Sequence, residues 1–514
     1  MNRMAVNWIG AAATVLGVAG VLCLVPSRAL SAEPPASSGA TMTVAFHVHS
    51  DVSTGTLSLD QVAERARQMG IDAVVFSENL TLRYEYGLFP FRGVIRRTVT
   101  LPSVVEYGMD RYLAAIAEAQ ARHPGVLLVP GVEVTPHYHW TGSLPERNLT
   151  MHNSQKNLLV FGLTKSEDYT ALPVPGNAGF SRYGWETLGA LWPAALLGYA
   201  GWLWRRTTYR QIKVGVTTMR VAKHFQVPAG LLAAGAVALL LLAWPYDSPL
   251  FSFYDDQLQE RPYQALIDAA VQRGGAVIWS MPEAVDFNVY PYGPLGSVTV
   301  KTDPYPVSLL QTTNYTGFGG VYQDTRTMTE PGALWDQLLL QHLGGLRPVL
   351  PAIFGEIAFH RPGQAGIELN QVVNVVTVRE RTAAGLVEAM KAGRLYALSQ
   401  AGRPFGLRLD TFQVEAQDGT RAAVVGQSFV RSAEPPAVRV AVTATDRGSH
   451  PVLVTIVRSG QVIARIAGTT PFHQRVVDSA LPAGAEAFYR VDVRGEGEIL
   501  SNPIFVKPGP PGPS

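Results

Sequence analysis

Two uncharged runs of 18 residues, "TLGALWPAALLGYAGWLW" at 187–204 and "VPAGLLAAGAVALLLLAW" at 227–244, constrain this chain more than any other feature. Each has about the length an α-helix needs to cross a bilayer. Trp202, Trp204 and Trp244 stand near their ends, where interfacial aromatics concentrate. The segment between them carries Arg205, Arg206, Arg210, Lys213, Arg220 and Lys223 and no acid. The positive-inside rule puts such a loop in the cytoplasm. The expectation is a two-helix transmembrane hairpin over 187–245, with a cytoplasmic loop at 205–226. Two crossings return the chain to the side it left, so the segments before and after the hairpin can fold together. An odd number of spans would forbid that.

Residues 1–32 read as a signal peptide or an N-terminal anchor: Arg3, then the apolar run "WIGAAATVLGVAGVLCLV", then the small residues of "SRALSA". Either outcome exports the chain beyond residue 32, which makes 40–185 and 250–507 extracytoplasmic, in a periplasmic or extracellular space. Cys23 is the only cysteine, so disulfides and thiolate ligands are excluded elsewhere and any metal must be held by His, Asp or Glu. The 42 basic and 40 acidic residues leave a net charge of +2, which gives no global attraction to nucleic acid. The two apolar runs hold no charge that could line a transport pathway.

From Val44 the soluble part alternates apolar strands with amphipathic helices. "TVAFHVH", "LSLDQVAERARQMG", "DAVVFSEN", "MDRYLAAIAEAQARHPG", "VLLVPGVEVT" and "KNLLVFGL" succeed one another. The rhythm resumes in "YQALIDAAVQRGG", "AVIWSMP", "GALWDQLLLQHLGG", "RPVLPAIFGEIAFH" and "RTAAGLVEAMKAGRLYALSQ". Strands separated by helices predict parallel pairing with crossover helices, an α/β barrel split between 40–185 and 250–402. Beyond about residue 402 the period falls to two, as in "AVRVAVTATD" and "PVLVTIVRSGQVIARIAG", which predicts an all-β sandwich over 403–507. The tail 508–514, rich in Pro and Gly, reads as disordered.

Alternate residues of a strand share a face, so His47 and His49 in the first strand can converge on one ion. Barrel strands of this kind deliver their C-terminal ends to one mouth. Glu133 in "GVEV", His137 and His139 in "PHYH", and Glu356 and His360 in "GEIAFH" lie at other strand ends. His47, His49, Glu133 and His360 are the candidate metal ligands, a set suited to Zn, Mn or Fe as a single divalent ion. Glu78, His137 and His139 are the candidate catalytic bases. The competing reading is a set of polar residues at strand ends that holds no ion.

These segments resemble the polymerase and histidinol phosphatase (PHP) family of metal-dependent phosphoesterases, in exported members with a C-terminal β-sandwich. "FHVHSDVSTG", "VPGVEVT", "VEAMKAGRLYALS" and "SNPIFV" carry the resemblance. It implies a distorted (β/α)7 barrel, here interrupted by the transmembrane hairpin and succeeded by the sandwich. It also implies hydrolysis of phosphate esters by metal-activated water. The chain departs from the family pattern at Thr54 between Ser53 and Gly55, at Ser77, Glu78 and Asn79, at Ser280 and Met281, at Asn157 and at Ala358. Neutral amides and a thioether are weak ligands for hard or borderline ions. Two functions stay open: a membrane-anchored hydrolase acting on a small-molecule or lipid-linked phosphate ester, and a catalytically degenerate module that binds a ligand or partner in the envelope.

Overall fold

The computed structural model describes residues 39–509, apart from 90–91, 93–94, 183–190, 244–247, 294–295, 323–325, 365–366, 401–404 and 432–433. The signal or anchor expected at 1–32 and most of the tail expected at 508–514 lie outside the described residues.

Strand β1, Ala40–Val48, is rich in β-branched residues; its first two positions are exposed, and Val44 through Val48 are buried. Helix α1, Leu59–Gln68, starts at Ser58, whose hydroxyl accepts from Gln61 N–H while Gln61 Oε1 accepts from Ser58 N–H. Its buried side chains, Leu59, Val62, Ala63 and Ala66, recur at helical spacing and pack on the sheet. The chain returns as β2, Ala73–Phe76, parallel to β1 with Val44 opposite Ala73. Ser77 separates it from β3, Glu78–Asn79. A hairpin comes next, β4, Leu82–Gly87, with β5, Arg96–Leu101.

Helix α2, Met109–Arg122, leads to β6, Leu127–Val129, and β7, Gly131–Val134, which pair in parallel with β2 and β3 respectively. Pro130, which has no N–H to give a ladder, divides them. Strands β8, His139–Thr141, and β9, Thr150–His152, form a small antiparallel pair. Strand β10, Leu158–Phe161, is antiparallel to β7, where the rhythm of the sequence predicts parallel pairing throughout. No crossover helix separates β7 from β10, so the chain can turn back without one.

The region expected as a transmembrane hairpin holds helix α3, Pro193–Arg205, and helix α4, Gln226–Ala243, packed on each other. The segment expected as a simple basic loop is a β-hairpin, β11, Thr207–Val214, with β12, Thr217–His224. At 1.5 Å per residue the 13 residues of α3 extend about 20 Å. No helix among the described residues is long and apolar enough to cross a membrane. The expectation of two spanning helices therefore has no support from the helix lengths described.

Beyond the pair, α5, Arg261–Gln272, precedes β13, Ala276–Trp279, which is antiparallel to β10. A second hairpin, β14, Asp286–Pro291, with β15, Ser297–Thr302, extends the β8–β9 sheet. Strand β16, Gly317–Val321, then α6, Leu334–Leu343, and β17, Ala352–Gly355, continue the parallel order β13, β16, β17. The residues after β17 close the ring on β1: Ile357 N–H donates to Phe46 O, Phe359 N–H to His47 O, and His49 N–H to Phe359 O. Val44, Phe46, Leu159, Phe161, Ile278 and Phe354 fill its interior.

Strand β18, Val372–Val378, helix α7, Ala383–Lys391, and strand β19, Leu395–Ser399, complete this part, with β18 antiparallel to β1. After residue 404 the chain is all β, as its period-two pattern predicts, with a core that includes Val440, Val454 and Val491. One of its sheets is continuous with the barrel sheet, because β19 pairs with Glu498–Ser501. The junction is also fixed by a fully buried ion pair, Arg490 Nε to Asp336 Oδ1 at 2.7 Å, with the guanidinium 4.8 Å from the centroid of the Trp335 ring.

Candidate metal centre

The site begins with a backbone irregularity. The β1–β2 register shifts between Phe46 and Val48, and His47 has φ of 71°, a left-handed conformation that a non-glycine residue adopts at a cost. Simple alternation along a regular strand is thus not what aims the two histidines. The bulge and the closing hydrogen bonds from 357–359 aim them. Both rings are buried, and both face Glu133 from β7: His47 Nε2 lies 3.4 Å from Oε1 and His49 Nε2 3.6 Å from Oε2. His47, His49 and Glu133 each offer a donor atom within 4.8 Å of the others, and they are the group of three or more such residues found among the described residues.

Each donor is oriented by a neighbour. His47 Nδ1 donates to Glu356 Oε2 at 2.8 Å, and Ser280 Oγ donates to the same oxygen at 2.7 Å. This hydrogen bond leaves Nε2 as the atom facing Glu133. Asn79 Nδ2 and Asn157 Nδ2 each donate to one oxygen of Glu133, both at 2.7 Å. His49 Nε2 is buried without a hydrogen-bond partner, and its ring is stacked 4.2 Å from that of His360. A buried imidazole nitrogen with no partner, aimed at a carboxylate and a second imidazole, fits a divalent ion of the zinc, manganese or iron kind.

The electrostatics favour a proton on His47 that a bound metal would displace from Nε2. Burial works against a charge on His47, but the carboxylates of Glu133 and Glu356 outweigh it and raise the imidazole to about 10. Burial opposes the charge on Glu133 too, and the neighbouring histidines outweigh it and hold the carboxyl well below its usual range. Burial lowers His49 well below the usual histidine value, so its ring is a neutral imidazole with a lone pair to give.

The other predicted residues divide between this centre and a second cluster. His360 reaches the site by stacking on His49, and its Nδ1 lies 3.0 Å from Thr54 Oγ1, which itself donates to Asn79 Oδ1. Glu78 is fully buried and spends its carboxylate on the loop after β1, accepting from Ser50 N–H at 2.7 Å and from the Ser50 and Ser53 hydroxyls. His137 and His139 belong to a separate stack with His152: ring centroids are 6.0 Å apart in the first pair and 4.7 Å in the second, and His137 Nε2 donates to Ser252 O. The sequence places Glu356 at a strand end beside His360, outside the ligand set, and does not pair it with Ser280. Gly319 in β16 is the available sign, since a Cβ there would overlap the Glu356 carboxylate.

No protein-family model matches the chain, and no curated protein matches it. Its structural neighbours include a PHP-like metal-dependent phosphoesterase, a second metal-dependent phosphoesterase and an amidohydrolase. One is a two-domain protein from Bacteroides vulgatus with a PHP-like metal-dependent phosphoesterase, 11% identical with a TM-score of 0.36, covering 92% of this chain and 97% of that one. A second, from Bifidobacterium adolescentis and designated a metal-dependent phosphoesterase, is 13% identical with a TM-score of 0.25, covering 65% and 91%. The third, an amidohydrolase from Chromobacterium violaceum, is 14% identical with a TM-score of 0.25, covering 63% and 90%. Likenesses this distant transfer no residue role to this chain.

Proposed function

We propose that this chain is a metal-dependent hydrolase of phosphate esters, built on a distorted (β/α)7 barrel of the PHP kind with a β-sandwich after it. The observation that carries the reading is the buried convergence of His47 Nε2, His49 Nε2 and Glu133, with the His49 nitrogen unpartnered. Those three residues would hold one divalent ion, which when bound supplies a Lewis acid and lowers the pKa of water. Glu356 fixes the tautomer of His47, and Asn79 and Asn157 hold both oxygens of Glu133 toward the centre. His360, packed on His49, is the fourth candidate ligand. Hydrolysis breaks the ester P–O bond, water adding its oxygen to phosphorus and the alcohol leaving with a proton.

Purified full-length protein tests this. Wild type should hold about one Zn, Mn or Fe per chain and hydrolyse a chromogenic phosphomonoester. His47→Ala with His49→Ala should lose both. Metal-free wild type that stays inactive with added Mn²⁺ or Zn²⁺ would sink the reading.

A second reading is a metal-holding module without turnover. It is favoured by the placement of the expected bases, since Glu78 is tied to Ser50 and Ser53 and His137 to Ser252. Bound metal with no hydrolysis of any phosphoester would establish it.

The location we propose is extracytoplasmic, with attachment to a membrane through the central helical pair. Support comes from the uncharged runs at 187–204 and 227–244, the all-basic segment between them, and the exposure of Leu231, Leu241 and Trp204. Protein found in the supernatant after vesicle flotation would count against attachment.

A further inference from the structure

Two β-hairpins beside the site expose apolar side chains that nothing in the described chain covers. Val285, just before β14, and Phe287 and Val289 within it stand on one face at every second position, and Phe287 is 64% exposed. The β4–β5 hairpin ends in Phe89, 76% exposed, and Ile95, and it carries Val99 and Leu101 exposed along β5. It also holds Arg83, Arg92, Arg96 and Arg97 against one acid, Glu85. Apolar patches of this kind on a folded surface mark interaction sites.

The two hairpins touch: the Arg97 guanidinium lies 5.2 Å from the centroid of the Tyr292 ring and donates to its hydroxyl. The β4–β5 hairpin adjoins the root of the α3–α4 pair. The chain enters and leaves that pair through Ser181–Arg182 and Ser248–Pro249, which pair with each other. From there Leu250 N–H donates to Phe180 O, Tyr254 Oη accepts from Gly87 N–H at 2.5 Å, and the Arg92 guanidinium lies 3.7 Å above the Tyr254 ring. Contact also runs inward to the metal centre. Phe253 stacks 4.6 Å from Tyr138, which meets Tyr84 edge-on at 5.4 Å, and Tyr84 is close enough to Glu133 to feel its charge. The apolar helical pair, the exposed hairpins and the mouth of the site therefore lie at one end of the barrel.

We propose that the β4–β5 and β14–β15 hairpins rest on an anionic lipid surface and that the site takes phosphate esters with an apolar tail held in that surface. This rests on the phosphoester chemistry and membrane attachment proposed for the chain. The choice of occupant comes from the side chains the hairpins present: Phe89 and Ile95 at the end of one and Phe287 and Val289 along the other, which enter the headgroup and acyl boundary, and the arginines of the β4–β5 hairpin, which pair with lipid phosphates. A soluble acidic protein would be served by the arginines and not by Phe287 and Val289. A second copy of the chain would bring the same positive hairpin against itself.

Because Cys23 is the only cysteine, full-length Cys23→Ser protein can carry single probes. An environment-sensitive fluorophore at Ile95→Cys or Phe287→Cys should shift to the blue on reconstitution into phosphatidylcholine vesicles containing phosphatidylglycerol. The shift should be smaller in phosphatidylcholine alone and absent at Gln474→Cys on the sandwich. Vesicle-bound protein whose probes at 95 and 287 stay as aqueous as that at 474 would overturn the proposal and leave attachment standing. Failure to float with vesicles would overturn both. A shift already present in detergent and tracking dimer formation would assign the face to a second copy and overturn it.

The paired double variant Phe89→Ser with Phe287→Ser should slow hydrolysis of vesicle-held phosphatidic acid about tenfold, the loss expected for two buried aromatic anchors in part. Its rate on a soluble chromogenic phosphomonoester should stay unchanged. Equal loss on both substrates would overturn the proposal, and no hydrolysis of either by wild type would overturn the phosphoester reading beneath it.

Discussion

Nδ1 of His47 lies 2.8 Å from Oε2 of Glu356, and this turns Nε2 of the same ring toward Glu133. A buried carboxylate bonded to one nitrogen of a ligand imidazole makes the other a better donor and fixes its direction. Glu356 therefore acts through His47, and its own Oε2 is committed to His47 and Ser280.

Replacing Glu356 should weaken metal binding before it abolishes the fold. Glu356→Ala is expected to cost about 10- to 100-fold in metal affinity, in the range of other partners that orient a ligand. Glu356→Gln, which keeps one oxygen to accept from His47, should lose less. Competition with a chromogenic chelator measures both, and equal affinity in all three proteins would refute the role.

Gly319→Ala tests the room left for that carboxylate. A Cβ there overlaps Glu356, and overpacking of this kind costs about 1–3 kcal/mol. The double variant Gly319→Ala with Glu356→Ala should recover most of that loss in urea denaturation. No recovery would show that the strain lies elsewhere.

The Arg490–Asp336 pair is fully buried where the barrel meets the sandwich. Arg490→Ala should destabilise by about 3–5 kcal/mol, because it leaves a buried carboxylate uncompensated. Removing both charges, Arg490→Met with Asp336→Leu, should cost less than either single change. A double variant that loses the sum of the two singles would contradict this.

Glu78 gives stability an identifiable pH dependence. Burial raises its carboxyl to about 7, with the Ser50 and Ser53 hydrogen bonds acting in the opposite direction. The folded state then binds the proton more tightly than the unfolded state, so stability falls as pH rises from the usual carboxyl value toward 7. Glu78→Gln should remove that fall, which is on the order of 2 kcal/mol. Urea midpoints at pH 5 and pH 8 measure it. An unchanged slope in the variant would exclude Glu78 as its source.

Much of this was legible locally. The β-branched run of β1, the Ser58 and Gln61 cap of α1 and the Leu59, Val62, Ala66 spacing mark their elements without reference to anything distant. The pair His47 and His49, with Glu133, was also legible, because strand ends of one barrel share a mouth. Strand β16 was hidden: "GFGGV" has weak strand propensity, and its glycines are explained only by the groups pressed against them, Glu356 on Gly319 and Ala352 on Gly317.

The sequence by itself determined the first strand and its capped helix, the period-two strands after residue 404, that any metal must be held by His, Asp or Glu, and that a basic segment sits between two apolar runs. Local periodicity, capping and composition contain that information. Tertiary structure alone decided that β10 runs antiparallel, that His137 and His139 join His152 instead of the His47, His49 and Glu133 cluster, and that His360 stacks on His49. Those outcomes depend on the left-handed backbone at His47, on ring closure through 357–359 and on which buried polar atom finds a partner, all set by contacts between residues far apart in the chain.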